Sequence, residues 1–593
     1  MNSIFKYKEN NGEVIITGLQ EGVAETAIVI PETIGNMPVV EIGPKAFEFS
    51  TITDIKIGKN IRKIEKEAFA HCRKLSSVTW NCKCNTIPDN CFYRCTELKK
   101  FDFTAIKRVG QYAFGESGLQ EVYIPQNIEM IGIGAFNICS ELHSVTWNGT
   151  CDVIPTSCFY LCSNLKSFNF SAIKKVGQYA FGESGLQEVC LPKNIEIIEN
   201  EAFSGCSELH SVTWNCKCNA IPANCFYECV NLKVFDFSTI KEIGQYAFYK
   251  SGLQEVRLPK NIESIYERAF GECSELQFVE WNGKCDAIPA NCFSECSNLT
   301  SFNFAGIKKI GSYAFWASGL QEVRLPKKIE CISERAFYAC SELQFVEWNC
   351  KCNEISDYCF CKCTKLKQFD FSGIEKIGKY AFEGSGLQEV NLPENINVVL
   401  VGAFEKCGEL QSVTWSHKCE LIPANCFADC LKLTKFNFAN AKKIEQYAFS
   451  NSGLQEVRLQ KNIESISNKA FCGCSELHSV TWRCQCDVIP NACFERCSNL
   501  KQFDLSNVKK IEERAFIYSG LTSVTLSKKN EVDQNCFAYC NDLEKIEWLS
   551  DRNIEKNIFA ECKNIKEILI SDKVMNIAVG AFAASPNAEI SFV

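Results

Sequence analysis

The sequence is short of the groups that usually carry out chemistry. Only five histidines occur in 593 residues: His71, His143, His210, His417 and His478. No G-x-S-x-G, H-E-x-x-H or phosphate-loop word appears, so the local signatures of an activated serine, a catalytic zinc and a nucleotide phosphate site are missing. No apolar run reaches the roughly 18 residues a membrane-spanning helix needs. The opening MNSIFKYKENNGEVIITG has neither the apolar core nor the cleavage site of a secretory signal. Basic charge is not in excess: 63 Lys and Arg stand against 71 Asp and Glu, for a net charge of -8. The charges are interspersed without a basic stripe, so nucleic acid is not an expected partner.

What the chain has in quantity is repetition. The phrase SGLQEV begins at Ser117, Ser184, Ser251, Ser318, Ser385 and Ser452, and a diverged SGLTSV at Ser519, always 67 residues apart. Eight of the nine tryptophans keep the same beat, from Trp80 and Trp147 to Trp482 and, after one deletion, Trp548. Each block divides into three at an Ala-Phe or Cys-Phe pair. That phenylalanine falls at Phe47, Phe69, Phe92, Phe114 and onward to Phe582, in steps of 22, 23 and 22, giving 25 copies. A fixed period of this length marks a solenoid, in which each unit buries its apolar face only against its neighbours.

The tail of each unit reads as a strand. In Leu142-His-Ser-Val145-Thr-Trp147 the first, fourth and sixth places are apolar and face inward, and the second, third and fifth face out. The earlier I-x-x-I piece, as in Ile128-Glu-Met-Ile131, predicts a second short strand or turn on the opposite side. The expected fold is a leucine-rich-repeat solenoid, a right-handed α/β-type superhelix that is β-rich with short turns, of about 25 coils grouped in 67-residue triplets. Residues 1–40 break the pattern. A turn at Asn11-Gly12 predicts a β-hairpin there, as an N-terminal cap. Residues 41–516 form the regular solenoid, and 517–593 are irregular repeats ending in a cap.

These words resemble the BspA-like leucine-rich repeats, also called the Treponema pallidum type. The match is carried by Ile106-Lys-Arg-Val-Gly-Gln-Tyr-Ala-Phe114-Gly-Glu-Ser-Gly-Leu119-Gln-Glu-Val-Tyr-Ile-Pro125 and its copies, which cover nearly the whole chain. The opening Val14-Ile-Ile-Thr-Gly18 and Ile28-Val-Ile-Pro31 looks like the family's usual N-terminal lead-in. The resemblance implies a solenoid used for adhesion or host-protein binding at the surface of mucosal bacteria and protists. Its implied partners are host or extracellular-matrix proteins. Two departures bear on location: no signal peptide is visible, and cysteine is far more frequent than in most members. The cytoplasm is therefore the alternative compartment.

The side-chain columns narrow the function. His143, His210 and His478 share the second strand place, at least three coils or roughly 14 Å apart, too far for joint catalysis or a shared metal. No cofactor is expected. Three residues after each marker phenylalanine the triplet reads Cys, Cys, Ser. The adjacent-coil pairs are Cys72 and Cys95, Cys139 and Cys162, Cys206 and Cys229, Cys273 and Cys296, Cys340 and Cys363, Cys407 and Cys430, and Cys474 and Cys497. Each is either a disulfide across one coil spacing or two buried thiols filling the turn. C-x-C pairs at Cys82/Cys84, Cys216/Cys218, Cys350/Cys352 and Cys484/Cys486 recur every 134 residues. They would bind zinc only if the coil brought further cysteines to them. The fifth strand place reads Asp236, Arg257, Glu280, Asn303, Arg324, Glu347, Asp370, Asn391. Acid beside base on neighbouring strands predicts a charge ladder. With Arg458, the histidine column and the aromatic intrusions Tyr123, Phe278 and Phe345, it makes the outward strand face the candidate binding surface. The functional expectation is a non-catalytic protein-binding or adhesion solenoid. The alternatives are a self-assembling rod or surface-layer element, and a cysteine-linked redox or metal-binding protein.

Overall fold

The computed structural model describes residues 4–593. The chain divides into two compact units: Met1–Cys285 with Asn291–Asn298, and Asp286–Ala290 with Leu299–Val593. Both are β-solenoids of the same coil. No α-helix occurs among the described residues, and the only helical element is the 3-10 turn Phe438–Asn440. The side of the coil opposite the main strands carries two-residue strands, as the I-x-x-I spacing predicts. Ala220–Ile221, Glu242–Ile243 and Ser264–Ile265, for example, make a three-stranded parallel sheet.

The marker segment joins the two sides, and its phenylalanine is the core. From Phe47 to Phe559 every marker ring is at most 1% exposed. Within each unit successive rings stack nearly parallel with centroids 5.2–5.8 Å apart. Burying one such side chain contributes roughly 1.5–3 kcal/mol, but only when the next coil supplies the cover. The backbone around the ring is unusual. The residues two before and two after it hold positive φ, as at Asn224 (54°) and Glu228 (55°) about Phe226. This alternation turns every second N–H along the stacking direction. Asn224, Phe226 and Glu228 donate to the carbonyls of Gln245, Ala247 and Tyr249 on the next coil at 2.8–2.9 Å. A left-handed non-glycine residue costs about 1–2 kcal/mol; the interlocked rungs hold it in place.

The main strands are three or four residues long and occur on two coils of each triplet. Glu255–Leu258 pairs with Phe278–Trp281, and Glu322–Leu325 with Phe345–Trp348, in parallel and in register. The third coil drops out because of its own sequence. There a Phe-Asp/Asn-Phe/Leu word places a short acceptor beside the backbone. Asp102 accepts from the Thr104 N–H, Asp236 from Ser238, Asn303 from Ala305, Asp370 from Ser372 and Asp504 from Ser506, at 2.9–3.0 Å. Such a local bond competes with the ladder and bends the chain. Where the word is missing the sheet runs on: Ser523–Leu526, Lys545–Trp548, Glu567–Ile570 and Glu589–Phe592 form one four-stranded parallel sheet.

At the other end Phe5–Asn10 and Glu13–Leu19 form the expected antiparallel hairpin. Its two-residue turn has φ of 51° at Asn11 and 77° at Gly12, the left-handed pair that such hairpins require. Glu13–Leu19 then runs parallel to Met37–Ile42, which starts the stack. Each tryptophan of the 67-residue beat packs its ring against the marker phenylalanine of the next coil, as Trp214 does on Phe226. Its indole N–H donates to the carbonyl four residues on, Trp80 to Cys84 and Trp482 to Cys486 among them, at 2.8–2.9 Å.

The glycine of the Ser-Gly-Leu phrase has a steric reason. A Cβ on Gly252 would stand 2.1 Å from the Val230 carbonyl oxygen, and one on Gly520 1.8 Å from that of Ser498. Backbone cannot yield as a side-chain tip can. G252A is therefore expected to destabilise by about 1–3 kcal/mol, with amide exchange accelerated around residues 229–253. Unchanged urea unfolding and exchange in this variant would show that the close approach is not a constraint.

Candidate functional site

His143, His210 and His478, at the same place in three of the triplets, are exposed. His71 is different: its ring stacks on Phe49 at 4.4 Å and its Nδ1 is buried without a hydrogen-bond partner. Among the described residues no three His, Cys, Asp or Glu side chains converge as a metal site.

The cysteine ladder sits directly against the marker turns. Each thiol donates to the carbonyl of the marker phenylalanine one coil back: Cys72 to Phe47 at 2.9 Å, Cys95 to Phe69 at 3.2 Å, Cys206 to Phe181 at 3.1 Å, Cys229 to Phe203 at 3.3 Å. The serine of the third coil approaches the next cysteine, with Ser251 Oγ 3.4 Å from Cys273 Sγ. No disulfide joins ladder cysteines among the described residues. Burial pushes the thiols up, against a smaller opposing effect of the serine hydroxyl: Cys139 and Cys206 to about 11, Cys273, Cys340, Cys407 and Cys474 to about 12. Cys95, Cys162, Cys229, Cys296, Cys363, Cys430 and Cys497 rise further, through burial and then the charge of the ladder thiol one coil back.

On the strand face the structure brings together two of the predicted ladder steps and separates others. Arg257 lies 3.3 Å from Glu280 on the adjacent strand and 2.6 Å from Glu255 on its own, with its guanidinium 4.8 Å over the Phe278 ring. Arg324 repeats the arrangement with Glu347 at 3.1 Å, Glu322 at 2.8 Å and the Phe345 ring at 4.8 Å. Phe278 and Phe345 remain 44% and 46% exposed, and Tyr123 54%. Asp236 and Asp370 do not join this ladder: their carboxylates accept the backbone N–H bonds of the third-coil turns described above. Arg458 pairs only with Glu456, at 2.8 Å, because Thr481 is its cross-strand neighbour.

The missing third strand leaves a groove, which periodicity alone did not show. About 810 Å³ opens over 436–438, lined by Ser412, Thr434, Phe436, Asn437, Glu456 and Arg458 among others. Its counterpart one triplet later, about 470 Å³, is lined by Phe503, Asp504, Leu505, Ser523 and Thr525. The signal for it is the Asp/Asn two residues before Ser, Thr or Ala in the F-D/N-F word. Asparagines of the x-x-N-I word secure the turns: Asn127 Nδ2 donates to the carbonyls of Thr104 and Ile106, and Asn194 to those of Ser171 and Ile173.

The BspA-type leucine-rich repeat region model matches six overlapping times, over residues 26–143, 129–251, 219–344, 330–452, 420–544 and 507–592. The chain belongs to the BspA-type leucine-rich repeat family. No curated protein matches it significantly. Among solved structures it is similar to a leucine-rich repeat protein of Bacteroides ovatus, 17% identical over 100% of this chain and 99% of that one, with a TM-score of 0.30. It is similar to the T. pallidum leucine-rich repeat protein, 25% identical over 35% of this chain and 88% of that one, TM-score 0.28. A third similarity is to the pneumococcal vaccine antigen PcpA, 13% identical over 100% and 98%, TM-score 0.20. Membership of the BspA-type family rests on the repeat match; superpositions this loose add nothing to it.

Folding holds the ladder thiols of this BspA-type chain protonated. Their folded pKa lies above the ordinary value of 9.0, so their stabilisation is complete below pH 9 and is lost as pH rises toward 11–12. Replacing Cys206 and Cys273 by Ala should make the fall of the urea midpoint between pH 8 and 10.5 shallower. An identical slope in the variant and the parent would refute the assignment.

Proposed function

We propose that this leucine-rich repeat solenoid is a non-catalytic protein-binding module whose strand face makes the contact. The supporting observation is the pair of exposed Arg-on-Phe stacks, Arg257 with Phe278 and Arg324 with Phe345, each held by two glutamates. Arginine and aromatic side chains are the types that dominate interface energetics, above all when already ordered before the partner arrives. In the free protein an exposed ion pair of this kind contributes little to stability. Its cost in side-chain entropy is repaid if a partner uses it.

Arg257, Arg324 and Arg458 occupy equivalent places on the strand that follows each third coil. At Arg458 that strand borders the groove over 436–438. The groove supports a partner segment in extended conformation, because the third coil has left the ladder and a flanking strand edge is open to addition. The reading is consistent with the general use of these repeats for protein binding, and it concerns this face alone.

The test starts with capture of partners from the native environment by the full chain, followed by affinity measurement on the purified partner. Reversing all three arginines (R257E, R324E, R458E) is expected to weaken binding by about tenfold or more, with the thermal midpoint essentially unchanged. Reversing Lys175 and Lys309 on the two-residue-strand side should leave affinity intact. Full affinity in the triple arginine variant would remove this face as the binding site.

A further inference from the structure

The cysteines fall into two populations with different surroundings. Ladder thiols such as Cys139 and Cys229 are fully buried and bonded to marker carbonyls. The C-x-C cysteines lie instead at the rim, in the loops that follow Trp80, Trp214, Trp348 and Trp482. Cys218, Cys350, Cys352, Cys484 and Cys486 are partly exposed, and Cys82, Cys84 and Cys216 are 7–9% exposed.

The loop is built the same way four times. The chain bends at 82–83, and the indole of Trp80 holds the far side by its bond to the Cys84 carbonyl at 2.8 Å. The middle residue anchors the loop to the previous coil: Lys83 N–H donates to Ile61 O, Lys217 to Ile195 O, Lys351 to Ile329 O and Gln485 to Ile463 O, at 3.0–3.3 Å. The second thiol of three loops turns toward that same carbonyl, Cys84 at 3.6 Å, Cys352 at 3.9 Å and Cys486 at 3.8 Å. In each pair the hydrogen bond between the two cysteines favours the thiolate of one and pushes the other up. Cα atoms two residues apart in a bend stand about 5–7 Å apart, overlapping the roughly 4.4–6.8 Å that a disulfide spans.

The intervening triplets lack the first sulfur of the pair. They read Gly149/Cys151, Gly283/Cys285 and His417/Cys419. At Gly283 a Cβ would meet Ile262 Cγ2 at 1.8 Å, so this loop is seated differently and does not take a cysteine there. Dithiol loops thus recur on every sixth coil, with single-cysteine loops between them.

We infer that the four C-x-C loops are reversible dithiol–disulfide sites that exchange with small-molecule disulfides while the buried ladder stays reduced. In the first step the thiolate of one cysteine attacks a sulfur of an oxidised disulfide such as glutathione disulfide, and a thiolate of the oxidant leaves. The second cysteine then loses its proton and attacks the first sulfur, forming the ring disulfide and releasing the second thiolate. The protein gives up two electrons and two protons per loop, and the oxidant becomes two thiols. A loop clamped by Trp80 and Ile61 places the second sulfur beside the mixed disulfide, which favours closure over a lasting adduct.

The test uses the full chain in buffers of increasing glutathione disulfide, quenched in acid, alkylated in denaturant and mapped by peptide mass spectrometry. The expected result is a loss of two hydrogens, reversible by dithiothreitol, in the peptides containing Cys82/Cys84, Cys216/Cys218, Cys350/Cys352 and Cys484/Cys486. It should precede any loss of Cys139 or Cys229 alkylation. Cys151 should give a glutathione adduct or nothing. C84S should keep the adduct on Cys82 while the other three loops still close, an internal control for folding. Stable glutathione adducts on the parent C-x-C loops, or oxidation of the ladder first, would overturn the inference without touching the binding reading above.

Discussion

A coil of about 22 residues cannot shield its own phenylalanine, and the rest of the structure follows from how the next coil does so. Phe226 is covered by Phe203 at 5.8 Å and Phe248 at 5.4 Å, with the Trp214 and Phe235 rings closing the remaining sides. Because the rings stack, the coil repeat near them is set by aromatic contact. The polypeptide meets that spacing with a turn that alternates right- and left-handed residues and aims its N–H groups along the stack. Ladder cysteines donate to the same marker carbonyls, so the ring, the turn and the thiol make one interlocking device. Such a device passes stability only between neighbours.

With the interior committed to stacking, variation moves to the rim and the strand face. The triplet is the unit of that variation. Two coils keep a strand and the third replaces it by an Asx turn, which interrupts the sheet at regular intervals and leaves a groove over 436–438. Arg257 and Arg324 stand on the strand just after such a turn, stacked on an aromatic of the coil beyond. The same rule puts the C-x-C loops behind the tryptophans, at a rim position where a bend costs the core nothing. Binding residues and thiol chemistry can then vary while the marker column stays constant.

Much of this was legible in the sequence, and the reasons differ by feature. The coil number, the inward places of the strand and the hairpin at Asn11-Gly12 follow from apolar period and turn chemistry, which are local and strong. The Arg257–Glu280 and Arg324–Glu347 steps were legible because adjacent strands run in register. Asp236 and Asp370 read as members of the same ladder, since their place in the repeat is equivalent. Their short side chains instead bond the backbone two residues on, a competition that a column of charges does not reveal. The left-handed turn residues were not legible at all. Tyr246, Arg268, Asn291 and Lys469 occupy that position in different coils, because neighbouring rungs, and not glycine, enforce the conformation. Ladder cysteines could be paired by coil but not assigned an acceptor, which belongs to the previous coil's marker carbonyl.

The account's central claim is that stability passes from coil to coil through the phenylalanine column. Hydrogen exchange on the full chain carrying F226A tests it most directly. Removing the ring should cost roughly 3–5 kcal/mol at the site of the cavity. The account predicts that rung amides of the coils bearing Phe203, Phe226 and Phe248 exchange about a hundredfold faster or more, while those around Phe69 keep their protection. Equal loss of protection along the whole of that unit, or no local loss, would contradict it.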